Sequence, residues 1–504
     1  MKSHGVVAAG ALLVGAACAA SNTPGIVKWD IQRQHRRQEL TRLGKRADTY
    51  EEVITNEEMR GGYFATCQIG TPGQPVTLQL DTGSSDIWVP ANTAQVCRQR
   101  GSGDGCAFGS FDPDASSTFE IVGDGEFDIA YLDQSFAKGD YITDVFEIGG
   151  AVLQNMTMGL GLNTDIDHGL VGVGYPTNEA IIHSTDNLDA MYPNLPIQMV
   201  NQGLISTPAY SLWLNDLDAS SGNILFGGID TEKYVGQLTR INVYPTQRDP
   251  DIWTSFLVAL TSLDAVSPSG QDRLSSRQFP IPVVLDSGTT LSYLPTDIAH
   301  QTWREVGAIW APEVGNAVLP CSLRNSKGYF SFGFAGPSGP RINVTMDELV
   351  LDLTLGPQPK FTSGPYRGQE ACRFGIQNFT SPPFLLGDTF LRSAYVVYDL
   401  INHQIGLAAT DFNSTDSNIV PFPSEGAHIP SATPAPDQSQ VTQTPSFSTP
   451  AYEASPGFTD LSAWPSETDN AAPGSAPAFG PGQVAVVGLT MVLTMLGSGL
   501  FVLL

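Results

Sequence analysis

Along this chain, β-branched and aromatic residues fall in runs of four to eight between Gly, Pro and Asn turns, and the 3.6-residue spacing of an amphipathic helix is scarce. Short apolar runs bounded by turn formers predict strands. Gly and Pro, 51 and 36 residues, supply the punctuation. A mostly β protein is expected, and 504 residues are more than one hydrophobic core normally organises.

Three segments break this pattern. Residues 1–20 carry Lys2 and the run GVVAAGALLVGAACAA, closing on small residues; this fits a secretory signal and is too short to span a membrane. Residues 413–480 contain 29 Ser, Thr or Pro in 68 positions with few large apolar residues, which predicts an extended stalk over 413–483 that buries no core. The final run, VAVVGLTMVLTMLGSGLFVLL at 484–504, is long enough for a membrane helix. No Lys or Arg follows Arg392, however, so the positive flank of a spanning helix is missing. Small residues at Asn470, Ala471 and Ala472, a spacer and a terminal apolar run match a glycosylphosphatidylinositol (GPI) attachment signal, with Asn470 as the expected attachment site.

The strand pattern contains an internal repeat. LQLDTGSSDIWVP, with Asp81, recurs as VVLDSGTTLSYLP, with Asp286. Aligned on the aspartates, Gly83 matches Gly288 and Pro90 matches Pro295; Thr82 and Ser287 are both hydroxyls, as are the pairs Ser84, Ser85 and Thr289, Thr290, and Trp88 faces Tyr293. A single Asp-Ser/Thr-Gly commonly caps a turn. Two extended copies point to two equivalent structural units. In each, an apolar strand, Leu78 to Leu80 or Val283 to Leu285, delivers an Asp into a turn whose Gly permits close backbone approach. If the two turns met, the carboxylates would share one site and could not both ionise. Such a pair can take a proton from water while polarising a carbonyl, which hydrolyses a peptide without metal or covalent intermediate.

Charge and cysteines narrow the setting. Residues 21–46 hold seven Lys or Arg against two acids and end in the dibasic Lys45, Arg46, whereas the whole chain carries −26; removing 1–46 leaves −32. So acidic a chain repels nucleic acid and favours basic peptides. The basic segment reads as a cleavable propeptide that covers an acidic cleft in cis. Cys18 leaves with the signal, and five cysteines cannot all pair. Cys97 and Cys106 flank a turn-rich octapeptide, Cys321 and Cys372 lie together in the second half, and Cys67 sits in a strand pattern as a buried free thiol. There is no C-x-x-C or H-E-x-x-H, so no metal site is expected. Sequons at Asn155, Asn343, Asn378 and Asn413 fit a secreted glycoprotein. A serine hydrolase lacks its G-x-S-x-G elbow here.

Together with DTGSS and DSGTT, the stretches YFATCQIGTPGQPVTLQLDTGSSDIWVP, DHGLVGVGYPTNEA, NILFGGIDTEKYVGQL and FLLGDTFLRSAYVVYDLINHQIGLA stand in an order that resembles the pepsin-like aspartic proteases over residues 61–410. The resemblance implies a bilobal β fold, lobes at about 47–234 and 235–412, a central cleft, no cofactor and a monomer. It implies Asp81 and Asp286 as the dyad, with Thr82, Gly83, Ser84, Ser287, Gly288 and Thr289 supporting them. It also implies a flap whose Tyr131 bonds the indole of Trp88. The glycines usual on either side of the third flap residue are Leu132 and Gln134 here, which implies a stiffer flap or an altered subsite. Asp133 at that tip implies acceptance of Lys or Arg beside the scissile bond. Signal, propeptide, stalk and GPI-type tail are similar to those of the fungal yapsins, surface endopeptidases that favour basic sites in proproteins; their long insertion in the first disulfide loop is absent between Cys97 and Cys106. A pepsin-fold wall protein that binds without cutting would have lost an Asp or an active-site Gly, and neither is lost.

Overall fold

The computed structural model describes residues 25–34, 62–98, 105–219, 221–246, 249–354, 356–441, 449–452 and 458. The expected signal segment, the dibasic site, Asn470 and the apolar tail lie outside these residues. Among the described residues no helix is long and apolar enough to cross a membrane.

The repeat seen in the sequence is a repeat of topology. In the first half, strand Gln74–Asp81 runs parallel to Gly169–Gly172, pairing Leu78 with Gly169 and Asp81 with Gly172. Strand Ile87–Pro90 lies antiparallel to Gly169–Gly172 and parallel to Ala151–Thr164. The second half repeats this: Ile281–Leu285 runs parallel to Phe384–Leu386, pairing Leu285 with Leu386, while Ser292–Pro295 meets Phe384–Leu386 at Tyr293 and runs parallel to Ile376–Phe379. These central strands are continuous apolar runs because both their faces are covered. Leu80, Val171, Leu285 and Leu386 are all buried.

One large sheet joins the halves. Its middle runs through Tyr234–Asn242, Gln404–Thr410, Ala394–Asp399, Ala209–Trp213, Ser221–Phe226, Val27–Gln34, Gly62–Ile69 and Gln74–Asp81. The expected lobe boundary at 234/235 therefore falls at the first residue of a strand inside this shared sheet. Val27–Gln34, read from sequence as part of a cleft-covering propeptide, is a sheet strand between Ser221–Phe226 and Gly62–Ile69. Alternation explains it: Val27, Trp29 and Ile31 are buried, and the Trp29 indole donates to the Thr66 carbonyl. The more basic residues 35–46 lie outside the described part.

The expected stalk also needs correction at its start. Ile419–Pro421 pairs antiparallel with Gly228–Asp230, and Thr433–Pro434 lies beside Thr239 and Arg240. Phe422, Ile429 and Ala435 are buried. Composition averaged over 413–480 diluted these few anchoring side chains, which suffice to hold residues 413–441 on the body.

Two disulfides, Cys97–Cys106 and Cys321–Cys372, join the expected pairs, and Cys67 is buried and unbridged. Burial pushes the Cys67 thiol far up, so it stays protonated. Asn155, Asn343 and Asn413 are exposed and Asn378 is half-buried. Behind the second lobe, the Arg392 guanidinium and Glu348 form a fully buried ion pair, in which Arg392 also donates to the Glu348 carbonyl at 2.7 Å.

Candidate active site

Each catalytic-type loop begins where an apolar strand ends. Asp81 and Asp286 are the residues that follow Leu80 and Leu285, and both are buried. Their surroundings match atom for atom. Gly83 N donates to Asp81 Oδ1 at 2.8 Å and Gly288 N to Asp286 Oδ1 at 2.8 Å. Ser84 Oγ donates to Asp81 Oδ2 at 2.5 Å and Thr289 Oγ1 to Asp286 Oδ2 at 2.6 Å. Both carboxyl planes are thus fixed by one backbone and one hydroxyl donor.

The loops lock to each other through their second residues. Thr82 Oγ1 donates to the Leu285 carbonyl at 2.9 Å and accepts from Ser287 N at 2.9 Å; Ser287 Oγ donates to the Leu80 carbonyl at 3.0 Å and accepts from Thr82 N at 3.2 Å. This four-bond knot crosses the pseudo-twofold axis and needs a hydroxyl at both positions, since only a hydroxyl both donates and accepts.

The glycines are dictated by proximity. A Cβ on Gly83 would stand 2.5 Å from Asp286 Oδ1, and one on Gly288 would strike Asp81 just as closely. Each loop's glycine therefore faces the other loop's carboxylate. The Asp81 and Asp286 carboxyls stand beside each other; burial, aided by the charge of Asp286, pushes Asp81 up to about 7. Like charges at this range keep a proton between them.

The flap is the hairpin of Glu120–Ala130 and Phe136–Ile148. Trp88 Nε1 donates to Tyr131 Oη at 2.8 Å, which ties the flap to the first loop's strand. At the tip, Leu132 is exposed and Gln134 takes a left-handed φ of 71°, the conformation glycine adopts most easily. Asp133 Oδ1 accepts from Ser135 N at 3.0 Å and Ser135 Oγ at 2.5 Å, so this acid also holds the turn.

The comparisons with known proteins bear on the whole of this body. The sequence profile of the family described as eukaryotic aspartyl protease matches residues 62–410. The chain belongs to that family. It is 40% identical over 421 residues to the probable aspartic-type endopeptidase opsB of Aspergillus fumigatus, covering 82% of each chain. It is also similar to the acid protease of Saccharomycopsis fibuligera, 35% over 360 residues and 71% and 84% of the two chains. Aspartic proteinase yapsin-3 of Saccharomyces cerevisiae is 32% identical over 406 residues, 78% and 74% of the two chains. This aspartyl protease is an aspartic-type endopeptidase acting on peptide or protein substrates.

Some site residues escaped the sequence reading. Asp86, fully buried, accepts from Tyr192 Oη at 2.7 Å, Tyr141 Oη at 3.1 Å and Ala180 N at 2.8 Å. Next to it, Glu179 is equally buried; its Oε2 accepts from Tyr192 N at 3.0 Å, and burial pushes the carboxyl up to about 9. The repeat hid Asp86, because the matching residue of the second copy is the buried Leu291. An acid in one copy opposite a leucine in the other was the available signal.

Proposed function

We propose that Asp81 and Asp286 are the catalytic pair of this aspartic endopeptidase. The observation that carries the reading is the reciprocal geometry: two buried carboxyls, each against the other loop's glycine and each oriented by one glycine N–H and one hydroxyl. One carboxylate takes a proton from water held between them, and the water oxygen attacks the scissile carbonyl carbon. The protonated partner donates to the carbonyl oxygen. Collapse of the tetrahedral diol breaks the C–N bond as a proton passes to the leaving nitrogen, and the pair returns to its starting charge. Asp286→Asn should lower kcat by about 10²- to 10⁴-fold; wild-type turnover in that variant would sink the assignment. Tyr131, held by Trp88, closes over the substrate.

The working pH follows from the shared proton. Because Asp81 is raised to about 7, the pair keeps one proton below that value and loses it as the pH climbs through it. Cleavage should be strongest on the acid side and fall towards neutrality.

Asp133 lends a lean towards Lys or Arg beside the scissile bond, supported by its place at the flap tip and by a chain charge of −26. Asp133→Ala should reduce the preference for Lys over Leu in a peptide library; an unchanged ratio removes this part of the reading. The enzyme acts at the cell surface after signal removal and cleavage at Lys45, Arg46, with attachment through a GPI anchor at Asn470, sugars on the four sequons, and a monomeric body. Support comes from the sequence signals and from similarity to yapsin-3. Release of the enzyme from intact cells by a phosphatidylinositol-cleaving phospholipase is the expected result, and a peptide spanning 21–46 should inhibit the processed enzyme.

A further inference from the structure

The second loop has a support outside the knot. Gln79, two residues before Asp81, sends Nε2 across the interface to the Gly288 carbonyl at 3.4 Å. Its Oε1 faces His168 Nε2 at 3.1 Å, and His168 Nδ1 faces Asp167 Oδ1 at 3.0 Å. The imidazole is boxed by the rings of Phe64 and Phe108, centroids 5.1 and 5.8 Å away at steep angles, and these two rings stack on each other.

Chemistry fixes the amide in this row. A backbone carbonyl only accepts, so the Gln79 nitrogen must face Gly288 and its oxygen must face the histidine. With Gln79 Oε1 and Asp167 Oδ1 as its two partners, the imidazole ties the amide to the Asp167 segment. The titratable group facing the ring is Asp167, on its own segment; the other elements packed on it present the neutral rings of Phe64 and Phe108 and the amide of Gln79. The first loop has a comparable support, in which Asn178 Nδ2 donates to the Gly83 carbonyl at 3.2 Å and Asn178 Oδ1 faces His183 Nε2 at 3.1 Å. A histidine-backed carboxamide on each active-site glycine is more than the fold needs to place the strands.

We propose that Gln79 and His168 are positioning residues for the hydrolysis: the imidazole orients the Gln79 amide, and the amide holds the Gly288 peptide that sets the donors on Asp286. The inference rests on the reading of Asp81 and Asp286 as the catalytic pair. Without the ring's bond to its oxygen, the amide is no longer directed. A flipped amide would set oxygen against oxygen at Gly288.

The test uses the secreted enzyme processed from the full chain, with kinetics on one peptide from about pH 4 to 7 and a thermal melt for each variant. Gln79→Met keeps the side-chain volume and removes the amide; kcat should fall about three- to tenfold, the worth of one net hydrogen bond, with KM held within about twofold. His168→Phe fills the aromatic box without a partner for Gln79 Oε1 and should lower kcat by a similar factor, while His168→Gln, which keeps a donor there, should retain most of it. Wild-type kcat in Gln79→Met at an unchanged melting temperature, a rise in KM alone, or equal kcat in His168→Phe and His168→Gln would each overturn the proposal. Asp286→Asn separates the readings: an inactive Asp286→Asn beside a fully active Gln79→Met removes only this inference, whereas an active Asp286→Asn removes both.

Discussion

At the scale of single residues, the site leaves no room for a methyl group. Gly83→Ala would place carbon 2.5 Å from Asp286 Oδ1, so one carboxyl must move. Misplacement by about 1 Å costs on the order of 10²-fold in rate, and Gly83→Ala should show that loss in kcat while its circular dichroism spectrum stays wild-type. Glu179 sets a second expectation. Its folded-state value of about 9 lies above the ordinary 4.5, so the fold favours the protonated form. That stability is fully present below about 4.5 and is lost as the pH rises through about 9. Melting temperatures of wild type and Glu179→Gln should agree near pH 4, and the variant should be the more stable near pH 8; parallel curves would mean that Glu179 ionises without cost. The motif residues Asp81 and Asp286 were legible because they recur. His168, Gln79 and Glu179 were not, since each matters only through a neighbour far away in the chain: 89 positions separate His168 from Gln79.

Elements carry the next level. The paired strands with their loops could be read from apolar runs ending in Asp, because a strand buried on both faces has a plain sequence mark. The flap was legible as a hairpin, and its departures at Leu132 and Gln134 were visible in the sequence as well. That Asp133 ties down its own turn through Ser135 was not visible, because the bond depends on the turn's geometry. Tyr131→Phe isolates the link from flap to body: it removes the acceptor of the Trp88 indole and leaves a buried donor unpaired, a cost of about 1–3 kcal/mol. We expect kcat/KM to fall by roughly tenfold, and equal values would show that the flap closes without this bond.

For the molecule as a whole, the described residues after 412 form a strap on the catalytic body. After the strand at 419–421, Asp437 accepts from Ser338 N at 2.8 Å, Gln438 accepts from Asn242 N at 3.0 Å, Ala451 pairs with Arg273, and the ring of Phe458 stacks on Phe330 at 5.4 Å over Gly328. Phe458 is buried. Phe458→Ala should cost about 3 kcal/mol of stability, the low end for a buried phenylalanine, measured by denaturant unfolding at the enzyme's acid working pH. A chain ending at 412 should be less stable still, because Phe422, Ile429 and Ala435 lose their burial with it. An unchanged midpoint in both would return the whole segment to the status of a free stalk.

The sequence by itself determined the β class, the twofold repeat, the two aspartates with their glycines and hydroxyls, and the membership of the cysteine pairs. The strands and the motif residues are local patterns, because a strand's period, a turn's residues and a motif's spacing are written within about ten positions, and the repeat is legible because such a pattern occurs twice. Tertiary structure alone decided where residues 25–34 of the N-terminal segment and the first part of the tail go. Strand Val27–Gln34 finds its partners some 30 and 190 residues away, and the strap is held by a handful of anchors within a polar, Pro-rich stretch. Composition averages such anchors out, whereas the fold reads each one by the cavity it fills.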